Sequence, residues 1–277
     1  MVWSEREQAY WNEILDFERN LLQYEPNDFE LTYEKWLEKG LTLVPAETRE
    51  LFFEQFDQLF FHIHSLLQGS QFQMDARDRI LTAARAFDDT VESISDLKRL
   101  SIDQLHYIAQ QQSSRHRIYS LLQGAAVGIG GTLALSSDYL AMTIINLRAV
   151  QLISMSYGYE VNSPYEMMTS LKVYHTSTLP LRLRAAGWMK LKEEIGDEHY
   201  FYFGSEKLTN ETWLQGPLKQ VLKTMLILTF KRKQFSGVPF ISMAIGAGAN
   251  YQLTRNVTNM SEKFYQMRLL MEKQAQT

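Results

Sequence analysis

Residues 121–140 read LLQGAAVGIGGTLALSSDYL, and how this run is interpreted decides the fold. Four glycines lie in it, and no charge appears between Arg117 and Asp138. Three structures would use such a run: a loop that cradles phosphate, a helix that enters a membrane, or a helix that another backbone approaches closely. A phosphate loop sets its glycines between a strand and a helix as G-x-G-x-x-G, or ends in GK[ST]. GAAVGIGG matches neither pattern, and the preceding SRHRIYSLLQ reads as helix. A membrane span needs about 20 largely apolar residues. Residues 118–137 are uncharged but diluted by Ser120, Gln123, Thr132, Ser136, Ser137 and the glycines. A second uncharged stretch, 234–254, is interrupted by Pro239, Asn250 and further glycines. Insertion of the two as a short hairpin pair stays open as the alternative. Close packing accounts better for the spacing: Gly124 and Gly128 stand four apart, as do Ala244 and Gly248, so each pair shares one helical face. Glycine inside a helix costs about 1 kcal/mol against alanine, so a run this rich needs a packing reason. Gly124, Gly128, Gly130, Gly131, Gly246 and Gly248 are therefore expected to press two small-faced helices together in a core.

The rest of the chain carries helical punctuation. A helix over about residues 3–24 ends before Pro26, and Asn27 with Glu30 opens another that stops at Gly40. Pro45 starts an amphipathic helix ending at Gly69, and a shorter one covers 75–88. Ser101 with Gln104 caps SIDQLHYIAQQQ, Ser137 precedes a helix from Asp138 to Gly158, and Ser163-Pro164 opens one reaching Thr176. Helices over about 180–195 and 211–233 follow, and a last pair is placed at 238–256 and 259–275. HYFYFG, 199–204, is the one ambiguous patch. The expected fold is all-α, a single multi-helix bundle with two Gly/Ala-rich helices in its core.

A hydrophobic content of 45% in 277 residues supports a substantial core, and 14 Gly with 6 Pro are too few for a turn-rich sandwich or barrel. Zero Cys excludes disulfides, Cys-ligated zinc, iron–sulfur clusters and thiol catalysis. The opening MVWSEREQAYWNEILDFERNLL is acidic and amphipathic and lacks the n- and h-regions of a signal peptide, so a cytoplasmic location is expected. Residues 1–98 carry 9 Lys/Arg against 20 Asp/Glu, a charge of −11, whereas 99–277 carry 19 against 12, a charge of +7. This divides the chain into an acidic helical part, 1–98, and a core, 99–277, within one continuous domain. The basic half could face anionic lipid, or the two halves could pack on each other; no helix has the dense Lys/Arg array that nucleic acid requires.

Little of the sequence suggests chemistry. His62 and His64 are two apart and point to different faces, no H-E-x-x-H occurs, and no metal or cofactor is expected. Asp138 and Arg148 bracket the polar part of the central segment and could hold a ligand's charge; the alternative is an Asp in a first helical turn and an Arg paired elsewhere. Asn250 is a candidate crosslink between helices, and Tyr157 beside Gly158 a residue packing at a helix end. Lys231, Arg232 and Lys233 with Phe235 make a short basic–aromatic patch suited to lipid headgroups. No Ser/His/Asp arrangement or paired carboxylates define a reaction.

The string GAAVGIGGTLALSSDYLAMTIINLRAVQLISMSYGYEV resembles the central signature of the EcsC family: a glycine-rich helix, an Asp, a helix carrying an Arg, then a Tyr-Gly-Tyr end. VPFISMAIGAGANYQLTRNVTNMSEKFYQMRLL resembles its second signature, and LTLVPAETRE its short Val-Pro element. The similarity covers about residues 30–275. One departure is Tyr139-Leu140 after Asp138, where the family often has an apolar residue and a proline; this puts the local helix start in question. The resemblance implies a protein encoded beside the ATPase and membrane subunits of an ABC exporter in Gram-positive bacteria, soluble or membrane-peripheral. From it follows an expected role as a non-enzymatic accessory protein at the cytoplasmic face, with exporter subunits and an anionic lipid surface as candidate partners. A bundle binding a lipid or other hydrophobic ligand is the alternative. An uncharacterised hydrolase, with Asp138 or His106 in an open polar pocket, is the least favoured.

Overall fold

The computed structural model describes residues 3–28, 31–32, 35, 71–129, 132–179, 181–195 and 239–275, with backbone alone at 71–73, 124–129, 132–140, 164 and 239–246. All regular structure among them is helical: α1 (Glu5–Leu22), α2 (Gln71–Arg85), α3 (Ile102–Ile129), α4 (Thr132–Ser156), α5 (Pro164–Thr178), α6 (Leu181–Glu193) and α7 (Pro239–Ala275), plus a 3-10 turn at Ser95–Arg99. The expected all-α bundle is what the chain forms. The helices expected at 45–69 and 211–233, most of 27–40, and HYFYFG lie outside the described residues.

The starts follow from short polar side chains meeting the free N–H groups of a first turn. Ser4 and Glu7 form a reciprocal capping box on α1. Ser101 and Gln104 do the same on α3, with the Ser101 N–H donating to Gln104 Oε1 at 2.9 Å. Ser163 Oγ accepts from Glu166 N at 3.2 Å, with Pro164 as the first residue of α5.

Two boundaries differ from expectation. α4 begins at Thr132, six residues before Asp138, because Tyr139-Leu140 supplies no proline to force a start there. The expected last pair is one helix of 37 residues, about 55 Å long. Its polar middle does not break it: Ser261 Oγ donates to the Val257 carbonyl (2.7 Å) and Thr258 Oγ1 to that of Arg255 (3.2 Å), so these hydroxyls satisfy themselves within the helix. The glycine-rich run 124–129 forms the last turns of α3, a helix of 28 residues.

α7 is the axis of the bundle. From Val257 to Leu270 it is buried nearly all round, with Val257, Phe264, Tyr265, Met267, Leu269 and Leu270 at most 1% exposed. A helix enclosed on all sides must be apolar or internally paired on every face. α3, α4, α5 and α1 all pack on it.

Part of the charge asymmetry is met at α1. Glu7 pairs with Lys273 (2.9 Å), Glu13 with Lys263 (2.7 Å) and Glu18 with Lys192 (2.9 Å), so an acidic N-terminal helix docks on basic residues of the C-terminal half. Glu18 also accepts from Trp188 Nε1 at 2.9 Å, and Phe17 meets the Trp188 ring edge-on. Burial of Glu18 is more than offset by these donors, and its pKa falls below the ordinary carboxylate value.

Among the described residues, the glycines at a close approach are Gly158 and Gly187. Gly248 is exposed, and a Cβ built on it meets no atom of the described residues within 4 Å. The side-chain surroundings of Gly124, Gly128 and Gly246, and the whole of Gly130 and Gly131, lie outside the described residues. At Gly187 a Cβ would stand 2.8 Å from Thr176 Cγ2. Gly158 ends α4 at φ 85°, with the Tyr159 N–H reaching the Ser154 carbonyl (3.1 Å) and its own N–H that of Met155 (3.0 Å). That is the left-handed helix stop for which glycine is suited. A Cβ there would lie 2.5 Å from Lys98 Cγ and 3.2 Å from the Lys98 nitrogen. Gly158→Ala is expected to lower unfolding free energy by about 2 kcal/mol or more, measured by urea denaturation, because left-handed strain and the steric clash add.

Candidate functional site

α3 and α7 run antiparallel, and polar side chains fix their register. Glu262 of α7 is buried at 5% exposure. Its carboxylate accepts from Gln110 Nε2 (2.6 Å) and from Ser113 Oγ, and Arg117 stands 3.9 Å away. One turn along, Arg117 Nε donates to Thr258 Oγ1 and Nη2 to Asn259 Oδ1, both at 2.9 Å. In the other direction, Gln266 Nε2 donates to Tyr157 Oη (2.9 Å) and reaches His106 Nδ1 at 3.1 Å. The seam therefore runs His106, Gln110, Ser113, Arg117 on α3 against Gln266, Glu262, Thr258 on α7. Tyr157 joins it from the end of α4, and Tyr10 of α1 packs edge-on against His106 at 5.5 Å.

Burial sets the proton affinities. It pushes the Tyr157 hydroxyl well above its ordinary value, and the charge of Glu262 adds to this. Burial lowers His106, with the Glu262 charge opposing, so the imidazole is held neutral with Nδ1 as acceptor. This arrangement positions helices: every strong donor around Glu262 belongs to the two helices it joins.

A second cluster closes the far side of α7. Arg268 makes a bidentate pair with Glu166 of α5, at 2.8 and 2.6 Å, and its Nε reaches Glu272 at 3.2 Å. The Tyr159 ring lies between two cations, with Arg268 Cζ and Lys98 Nζ each 4.0 Å from its centroid. Lys98 in turn pairs with Glu272 at 2.7 Å. Burial works against the guanidinium, but the hydrogen bonds and charge of Glu166 more than offset it and raise the Arg268 pKa. The Tyr-Gly-Tyr end of α4 and the Arg-Leu-Leu of α7, far apart in sequence, thus meet through Tyr159 and Arg268.

The sequence candidates fall differently. Tyr157 is fully buried in the seam. Arg148 is half-buried on α4, beside Arg79 and near His116. Asp138 lies ten residues earlier on the same helix, about 15 Å of helix rise away, and its side chain lies outside the described residues. Asn250 is half-buried on α7. Lys231, Arg232, Lys233 and Phe235 lie outside the described residues, as do His62, His64 and His199. Among the described residues no three His, Cys, Asp or Glu side chains come together as a metal site, and no helix is long and apolar enough to cross a membrane. A shallow cleft open to solvent, with a cavity volume of about 10 Å³, is lined by Tyr165, Lys172, Glu194 and Phe264 among others. It is smaller than typical ligand pockets of about 300–1,000 Å³. Glu166, Glu262, Gln266 and Arg268 were not singled out in the sequence. A signal existed: His106, Gln110, Ser113 and Arg117 recur at four, three and four, a helical polar stripe matched by Thr258, Glu262 and Gln266.

An all-α bundle with a buried axial helix, pinned by one polar seam and one bidentate ion pair, defines the class. The chain belongs to the EcsC family: the model of the EcsC protein family matches residues 8–270. It is 23% identical over 249 residues to a protein of Bacillus subtilis (strain 168) named "Uncharacterized protein YdbA", a match covering 87% of this chain and 89% of that one. No solved structure matches.

Removing one partner of a buried ion pair leaves the other uncompensated. Arg268→Met should therefore cost about 3–5 kcal/mol in chemical denaturation, and adding Glu166→Leu should recover most of it. His116 is buried, and burial, with Arg148, Arg115 and Arg79 adding, lowers its pKa to about 4. The unfolded chain takes up this proton near 6.5 and the folded one only near 4, so the unfolded state binds more protons in between and stability falls as pH falls through that window. His116→Gln is expected to remove about 3 kcal/mol of that acid-induced loss, read as a shallower fall of unfolding free energy with pH than in the wild type.

Proposed function

We propose that the protein is a non-enzymatic accessory component of an ABC exporter, docked at the cytoplasmic face of the membrane through protein contacts with lipid as a secondary support. Membership of the EcsC family supplies the context. The observation that carries the reading is the use made of the buried polar groups. Glu262 is bonded by Gln110 and Ser113, Gln266 bonds to Tyr157 and His106, and Arg268 closes on Glu166, so the interior chemistry fixes a rigid shape. A catalytic carboxylate or imidazole needs access to a reacting atom, whereas Glu262 is enclosed by its own donors. A rigid body with its chemistry turned inward suits an adaptor that presents a surface.

The test is affinity purification of the tagged chain from its own host after gentle membrane extraction. Recovery with an ATPase and a membrane subunit of an exporter is expected. Recovery in the free soluble pool with neither subunit would overturn the proposal.

A further inference from the structure

The end of α3 that leads into the glycine-rich turns has a surface unlike the rest of the described molecule. Arg115, Ile118, Tyr119 and Leu122 stand at spacings of three, four and seven, so they share one face. That face is bare: Ile118 is 56%, Tyr119 52% and Leu122 60% exposed, with Leu121 beside it at 42%. Exposed apolar side chains grouped in this way mark an interaction surface.

The charge around it is mostly positive, with Asp75 of α2 as an acidic residue near Arg148. α3 has no Asp or Glu after Asp103, and α7 has none before Glu262. Arg79 of α2 and Arg115 of α3 are exposed, and with Arg148 of α4 they converge on His116. The α3–α7 register, continued about one turn past Arg117 and Thr258, brings the exposed Arg255 level with Ser120 and Leu121. The acidic residues of the neighbouring helices are Asp75 and Asp78 on α2 and Asp138 on α4. Further along the same register, α7 presents the exposed Gly248 and Ala249, which add no bulk and no charge. The result is an apolar tip behind a collar of arginines.

We infer that this tip rests on an anionic lipid bilayer. Ile118, Leu121 and Leu122 enter the boundary between headgroups and acyl chains, Tyr119 lies at the headgroup level, and Arg79, Arg115 and Arg255 bind lipid phosphates. Guanidinium groups pair bidentately with phosphate oxygens, and an amphipathic face with basic and aromatic residues lies in the interface plane without spanning it. No described helix is long and apolar enough to span, which fits a surface attachment. This goes further than the accessory role and rests on its membrane-peripheral part by naming the surface that touches lipid.

The chain has no cysteine, so a single one can be labelled. Leu122→Cys and, as a control about 30 Å away near the start of α3, Glu92→Cys would each carry an environment-sensitive nitrobenzoxadiazole group. The probes are vesicles of phosphatidylcholine with and without phosphatidylglycerol. Expected results are co-sedimentation with the anionic vesicles only, weakening as salt rises, and a blue shift at position 122 but not at 92. Ile118→Asp with Leu122→Asp should abolish co-sedimentation, and Arg79→Glu with Arg115→Glu should weaken it by about tenfold or more. Both pairs are exposed, and an unchanged melting temperature checks that the fold survives. Should an Asp variant fail to fold, the contrast between labels 122 and 92 decides. No binding to anionic vesicles, equal shifts at both labels, or a shift at 122 only when an exporter membrane subunit is added would each overturn the inference. Co-purification with exporter subunits but no vesicle binding sinks this inference and leaves the accessory role standing; vesicle binding without co-purification does the reverse.

Discussion

The carboxylate of Glu262 is the constraint from which the arrangement of the central helices follows. A buried charge without donors costs several kcal/mol, and the donors that satisfy this one, Gln110 and Ser113, lie on α3 within one turn of each other. Sliding α3 against α7 by a turn would carry the carboxylate away from them. The seated register then places Arg117 on Thr258 and Asn259, and His106 on Gln266. It also brings the glycine-rich end of α3 and the glycine-rich start of α7 to the same end of the pair. Apolar packing alone would tolerate several offsets of two long helices, whereas the polar seam admits one.

Around that pair, electrostatics does a different job. Lys263 and Lys273 on α7 and Lys192 on α6 are taken up by Glu13, Glu7 and Glu18 of α1, so some of the opposed charges of the two halves meet each other. These pairs are partly exposed and individually worth little. Together with Tyr10, Ile14 and Phe17 packing on the core, they set where an otherwise marginal N-terminal helix lies. The bulk basicity of residues 99–277 is thus a poor guide to partners, and local clusters such as Arg79, Arg115 and Arg255 become the informative ones.

Local signals were legible wherever they concern a single turn. Ser101 with Gln104, Ser163 with Pro164, and Gly158 as a helix stop all act within five residues, and the structure uses each as its chemistry suggests. The apparent break at residues 256–259 has a local cause. Ser, Thr and Asn read as caps and breakers when they compete for backbone groups, but Thr258 and Ser261 bond back to their own helix. Gly248 is exposed on α7. Four-residue spacing shows that small residues share a face but does not say whether anything faces them.

The sequence by itself determined the helical class, most of the helix ends and the family, because caps, periodicity and signature segments are carried by neighbouring residues. Tertiary structure alone decided which polar groups meet: Glu262 with Gln110 and Ser113, Arg268 with Glu166, and the Tyr159 ring between Lys98 and Arg268. Glu262 and Gln110 are 152 residues apart and Arg268 and Glu166 are 102 apart, separations that leave no spacing to read. Their pairing emerges only when burial removes water as the competing partner.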